Sequence, residues 1–212
     1  MSVAEITGAG AATGSTQLTA PRASETRMRL ACALAAGGTL VPFALSSFGG
    51  DSGAEITASI LDGATALQIG GYVAALVSAL LVLAAVRLAG RVGGTAGAVV
   101  LVSGAAVALM FVAYYAAFAA GAVVADQMLA EPGPGVGEST AVLVNLTELA
   151  RYAPGLALVS AAVVARARLP RAVWGTAAAL AVLTIVPMTS WVAALLVPLW
   201  LAVSAAAISG RP

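Results

Sequence analysis

The chain has 212 residues, 61% hydrophobic and 9% charged, with a mean hydropathy of +1.01, values outside the ordinary range of water-soluble domains. It contains no histidine, no lysine and one cysteine, Cys32, which excludes Ser-His triads, histidine ligation of zinc or haem, Walker phosphate loops, Schiff-base chemistry, intramolecular disulfides and thiolate clusters. The formal net charge of +1, with no basic patch interleaved with aromatics, sets nucleic acid aside as a partner. The class is integral membrane, all-α. Exclusive use of arginine among the basic residues, with abundant alanine, points to a GC-rich bacterial genome and hence to a plasma membrane.

Residues 1 to about 26 are rich in Gly, Ala, Ser and Thr without apolar periodicity. Such a segment buries too little surface to offset its ordering entropy, and it is expected to be a disordered tail. Arg22, Arg27 and Arg29 lead into an apolar run from Leu30 to about Phe48, too long for a signal-peptide core and followed by no cleavage site. It reads as a retained first span, kinked at Pro42. Residues 49 to 67 form a first loop with Asp51, Glu55 and Asp62 and no basic residue. A second span, about 68–86, ends at Arg87 and Arg91, and Gly90 to Gly97 make a short turn. The third lies within the uncharged stretch 97–125, long enough to tilt or to project past the headgroups. A second acidic loop, 126–140, carries Asp126, Glu131 and Glu138 around Pro132-Gly133-Pro134-Gly135. The fourth span lies within 141–165, and Arg166, Arg168 and Arg171 follow it.

From Ala172 to Gly210 no residue is charged, and Arg171 and Arg211 bracket the stretch. As one helix it would measure about 58 Å, nearly twice the ~30 Å hydrocarbon core. It must therefore fold back, and Pro187-Met188-Thr189-Ser190-Trp191 is the place for an interfacial turn. This predicts fifth and sixth spans at about 172–187 and 191–208. Nine of the ten arginines fall in the tail, the second-to-third turn, the fourth-to-fifth turn and the C-terminus. The positive-inside rule then predicts a six-helix transmembrane domain over 27–210 with both termini cytoplasmic.

The tenth arginine, Arg151, lies inside the fourth span, three residues after Glu148 and on the same helical face. An intramembrane charge marks a candidate site. A second explanation is structural. Asn145-Leu146-Thr147-Glu148, flanked by Val144 and Leu149, has the form of a helix N-cap with its reciprocal Glu, which would put Glu148 at the outer interface with Arg151 snorkelling or paired beside it. Pro154-Gly155 follows at once. The 12 residues left before Arg166 are too few to cross, so the span must run through the proline, which cannot donate to the carbonyl of Ala150. In the third span Phe111, Tyr114, Tyr115 and Phe118 recur at i, i+3, i+4 and i+7, a stripe suited to packing, lipid contact or a pocket wall. Ala113, Ala117 and Gly121 form a small-residue ridge beside it. Glu148, Arg151, Tyr114 and Tyr115, with Asp126 at the outer end, are the candidate binding residues. No cofactor or metal is expected.

Asp62-Gly63-Ala64-Thr65-Ala66 resembles the opening of the DG-x-x-A-R signature of the CDP-alcohol phosphotransferases, but position 67 is Leu and the later aspartates of that signature are missing. Three functions stay open. The first is a non-enzymatic membrane subunit or scaffold, joined through small residues to a membrane-protein partner or a second copy. The second is a small-solute permease or ligand-binding protein with an outward-facing polar site on spans three and four. The third is a lipid-modifying enzyme using Asp62, Asp126 or Glu148.

Overall fold

The structure, a computed structural model, describes residues 20–46, 49–129, 131–186 and 188–208. Most of the expected disordered tail, residues 1–19, lies outside them, as do Pro187 of the predicted hairpin turn and the C-terminal Arg211. The described residues form helices, with no strand among them. Four of these helices are long and apolar enough to cross a membrane: α1 (Ala20–Leu45), α3 (Ala64–Val92), α4 (Gly94–Val123, continued by a π turn, Val124–Met128) and α8 (Ser190–Ala207). On α3 and α4 the outward faces are apolar too. Leu76 and Val102 point outward, each at least 70% exposed, and a bundle with such an exterior needs a hydrocarbon solvent.

The remaining helices are shorter. These are α2 (Gly53–Asp62), α5 (Pro134–Ala150), α6 (Tyr152–Val164) and α7 (Arg171–Ile185). The first expected loop thus contains a helix, and the reason is local. Ser52 caps α2 by accepting from the Glu55 amide at 3.3 Å, and Glu55 reaches back to accept from the Asp51 amide at 2.7 Å, a Ser-x-x-Glu capping arrangement. The fourth apolar stretch begins at Pro134, seven residues earlier than expected, because a proline suits the first turn of a helix, where its missing N–H costs nothing. Likewise α1 begins at Ala20, so residues 20–26 of the expected tail are helical. The glycine-rich turn shrinks to Gly93, whose φ of +64° no L side chain adopts readily.

Helix α3 lies along α1 and α4. Helix α8 packs against α1, α3 and α7, while α6 joins α4 to α7. These contacts are close because small residues sit at the crossings. A methyl group on Gly71 would come within 2.6 Å of Ala119, on Gly104 within 2.5 Å of Ala85, on Gly38 within 2.5 Å of Val77 and on Gly121 within 2.5 Å of Thr140. Of the predicted ridge of Ala113, Ala117 and Gly121, the last two lie where α4 meets α5.

At the end of the bundle that gathers the arginines, Arg87 fastens three helices. Its Nη atoms grip both carboxylate oxygens of Glu25 on α1 at 2.5 and 3.0 Å, and it also donates to the carbonyls of Ala205 and Ile208 at the end of α8. Arg168 donates to the carbonyl of Val92, closing the end of α3. At the opposite end α2 packs on the start of α5, where Thr57 Oγ1 donates to Gly133 O and accepts from the Gly137 amide at 2.9 Å. A second small core of Ile60, Leu67, Phe118, Ala122 and Val144 lies there.

Two outcomes test this packing. Gly104→Leu should destabilise the protein by about 1–3 kcal/mol, whereas Gly37→Ala, with nothing within 4 Å, should be neutral or mildly stabilising; denaturant unfolding in mixed micelles reads both. Arg87→Met should cost about 1–3 kcal/mol by removing the donor to a partly exposed carboxylate and two carbonyls. Arg87→Lys should recover less than half of that, because an ammonium cannot reproduce the fork.

Candidate functional site

The break between α5 and α6 is a single residue, Arg151, with φ −77° and ψ −15°. Pro154 explains it. A proline has no amide for the carbonyl of Ala150, so the ladder shifts: the Arg151 amide donates to Glu148 O at 3.3 Å, and the Gly155 amide donates to Arg151 O at 3.2 Å. The chain runs on through the proline, as the length argument requires. Glu148 does not cap a helix. It lies 14 residues into α5, and Asn145 and Leu149 are exposed, so the N-cap expectation is replaced: Pro134 starts the helix and Asn145 sits in its interior. Thr147, which that expectation placed in the cap, instead donates from Oγ1 to Leu143 O and Val144 O.

Arg151 is 9% exposed, and its Nη2 contacts Glu148 Oε1 at 3.3 Å. The same oxygen accepts from the hydroxyl of Tyr152 at 3.2 Å. The guanidinium lies over the ring of Tyr114, 4.3 Å from its centroid, a cation–π contact worth about 0.5–2 kcal/mol. The aromatic stripe faces inward. Phe111, Tyr115 and Phe118 are buried, with ring centroids 4.9 Å apart for Phe111–Tyr115 and 5.2 Å for Tyr114–Phe118. So Glu148, Arg151, Tyr114 and Tyr115 come together. Asp126 does not join them: it is exposed in the π turn, about 17 Å further along α4 than Tyr115 at the helical rise.

Beside this cluster is a cavity of about 140 Å³. Thr39 and Phe43 of α1, Phe111 and Tyr115 of α4, Arg151, and α8 from Val192 to Leu199 line it. The contribution of α1 and α8 could not be read from the sequence, because no periodic or motif signal on those apolar helices distinguishes Thr39, Phe43 or Leu195 from packing residues. On α1 the cavity lies within two turns of the helix end at Leu45, and on α8 it runs from the first turn at Val192 to mid-helix at Leu199, whereas on α4 it lies mid-helix. The cavity is thus a recess at the foot of a step, with α4 rising about 20 Å beyond Tyr115 to Met128.

Among the described residues two buried side-chain polar atoms have no hydrogen-bond partner, Ser46 Oγ and Arg151 Nε. The second belongs to Arg151, one of the residues that line the cavity. An orphaned donor on a buried guanidinium costs the desolvation of a charged group, about 1–3 kcal/mol or more, and marks a place for an acceptor. Asp62, which carries the phosphotransferase resemblance, is exposed at the end of α2.

Comparison with known proteins finds no matching family model, no matching curated protein and no matching solved structure.

A double-mutant cycle tests the pair. Glu148→Leu alone should cost about 3 kcal/mol or more, by leaving Arg151 buried without its carboxylate. Glu148→Leu with Arg151→Leu should cost less than the sum of the single changes by about 1–3 kcal/mol, and denaturant unfolding of the four proteins checks it.

Proposed function

We propose that the protein is a six-span plasma-membrane protein, arginine-rich end in the cytoplasm, which binds a small solute from the outer side in the recess at Arg151. The observation that carries this reading is the partnerless Nε of a buried arginine in the wall of a cavity. A buried ion pair with no ligand to serve is poor structural material, since a well-packed apolar pair of equal volume is generally as stable or more so. Location supports it too. The recess lies near the ends of α1 and α8 opposite the arginines, the side to which the positive-inside rule assigns the external medium.

Four helices meet the length and hydropathy for a crossing. The fifth crossing is the α5–α6 pair, which runs through Pro154, and the sixth is α7, joined to α8 by a turn in which Thr189 Oγ1 donates to Leu183 O at 2.9 Å. The 15 residues of α7 span about 22 Å, so the bilayer thins there or interfacial residues complete the crossing. The alternative of a scaffold acting through small residues draws less support, because Gly38, Gly71, Gly104 and Gly121 make their close contacts within the chain.

Labelling of intact cells with a small anionic methanethiosulfonate tests the reading, in a Cys32→Ser background. Asp126→Cys and Leu195→Cys should react from outside, and Arg166→Cys only after permeabilisation. If Leu195→Cys stays unreacted while Asp126→Cys reacts, the recess is closed to the outside and the binding reading falls. Reaction of Arg166→Cys in intact cells would overturn the orientation.

A further inference from the structure

Two cavities adjoin at the end of the bundle that gathers the arginines. One, of about 370 Å³, is lined by Arg91 at the end of α3, by residues 167–170, which include Arg168, and by Ala207 and Ile208 at the end of α8. The other is a groove of about 490 Å³ between α7 and α8, running from Ala172 to Leu183 on the first helix and from Ala207 back to Leu196 on the second. Ala207 belongs to both, and Pro170 in one wall lies two residues from Ala172 in the other. Together they make one depression, cationic at its end and apolar along its length.

In the first cavity the side chains of Arg91 and Arg168 supply the only polar groups besides backbone. Arg168 donates from Nη1 to the carbonyl of Val92, the residue after Arg91, which holds two cations at one place. Both are exposed, and among the described residues no carboxylate pairs with either; Glu25, an acid at this end of the bundle, is taken by Arg29 and Arg87. Like charges lining one cavity repel, and a bound anion relieves both. The groove offers the opposite chemistry. Thr176 Oγ1 donates to Ala172 O at 2.7 Å and accepts from Trp200 Nε1 at 3.0 Å, and no buried side-chain polar atom of the groove lacks a partner. It therefore suits hydrocarbon. From Ala172 to Leu183 it covers about 16 Å at the helical rise, close to half of the ~30 Å hydrocarbon core and so to the depth of one leaflet.

We propose that this depression holds one anionic phospholipid, with its phosphate between Arg91 and Arg168 and one acyl chain in the α7–α8 groove beside Trp200. Basic pockets between helices at the cytoplasmic face recognise anionic head groups in this way. A phosphatidylcholine head group would bring an ammonium toward the two guanidinia, so the site favours a head group of net negative charge such as phosphatidylglycerol. A helix of a second copy would cover the groove and leave both arginines without an anion. From the reading above the inference takes only that α7 and α8 lie in the bilayer, and the recess at Arg151 plays no part in it.

Quenching of Trp200 by lipids brominated on the acyl chain tests the site, in the full-length protein carrying Trp174→Phe and Trp191→Phe. The vesicles are phosphatidylcholine with a minor fraction of brominated phosphatidylglycerol or, in parallel, brominated phosphatidylcholine. Phosphatidylglycerol should associate about 5-fold to 30-fold more strongly, the preference expected from one to two arginines at a membrane face. Arg91→Gln, at an exposed residue with no carboxylate partner, should lower that preference about 5-fold, and Arg168→Gln should do the same. Arg166→Gln, outside the cavity, should keep most of it. Equal quenching by the two lipids would overturn the proposal, leaving an unselective lipid boundary. So would an equal loss of preference in Arg166→Gln and Arg91→Gln, which means diffuse attraction to the arginine-rich end. If neither lipid quenches Trp200 in folded protein, another protein surface covers the groove and the lipid assignment is wrong. Each of these results leaves the labelling of Leu195→Cys, and the solute reading it tests, unaffected.

Discussion

Hydrocarbon offers no hydrogen bonds, and this one fact governs how the polar groups of the chain are disposed. Most of them are matched inside the bundle. Arg87 meets the carboxylate of Glu25 and two carbonyls at the end of α8, and Arg168 closes the end of α3. Ser78 Oγ donates across to Ala108 O at 2.9 Å, and Trp200 Nε1 donates to Thr176 Oγ1 at 3.0 Å. Thr39, Thr147, Thr176 and Thr184 turn their hydroxyls back onto carbonyls of their own helices, the usual way a hydroxyl is satisfied in an apolar setting. Against that background a guanidinium with an idle Nε stands apart, because the one other orphan among the described side chains is the uncharged hydroxyl of Ser46.

The second determinant is unequal helix length. The α4 segment, with its π turn, covers about 52 Å at the helical rise, whereas α8 covers about 27 Å. Both cannot fit the same slab, so the longer helix must rise beyond the shorter one at one end. The excess does not hang free. It is braced by α2 and the first half of α5, through Thr57 and the core around Ile60 and Phe118. Close helix contact at Gly121 against Thr140 holds the wall upright. The recess at Arg151 follows from this step. It is where the short helices end and the tall ones continue.

The apolar runs were legible because their signal is composition, which needs no partner to be read. Helix positions for α1, α3, α4, α7 and α8 follow the runs to within a few residues, except that α1 starts early at Ala20. Misreadings arose where two local signals competed. Asn145 to Glu148 has the letters of a cap, but a cap forms only where a helix begins, and Pro134 had already begun this one. Ser52 and Glu55 form a real capping arrangement, and their letters were equally present in what reads as an acidic loop. At the site, the i, i+3 relation of Glu148 and Arg151 was legible because it lies within one helix. The cavity was not, since it is made by α1 and α8, whose residues 39–43 and 192–199 are remote in sequence from 151 and are apolar on every face. Which helix neighbours which is decided by packing at small residues, and those are spread over every helix of the chain.

The placement of the prolines joins these strands. In an isolated apolar helix a proline costs roughly 3 kcal/mol, because it removes a hydrogen bond and crowds the preceding turn. Three of them in three helices, at Pro42, Pro154 and Pro198, would be a heavy burden if their effects fell on lipid-facing surface. Pro42 and Pro198 are themselves buried, and Ala194, four residues before Pro198, belongs to the recess. At Pro154, three residues after Arg151, and at Pro198 the cost falls beside the recess. There it coincides with the buried ion pair, the partnerless guanidinium nitrogen and the end of the short helices. Any one of these features has an ordinary explanation in packing. Their convergence around about 140 Å³ of space is what packing alone does not require, since apolar residues at those positions would close the recess and remove the unsatisfied guanidinium nitrogen with it.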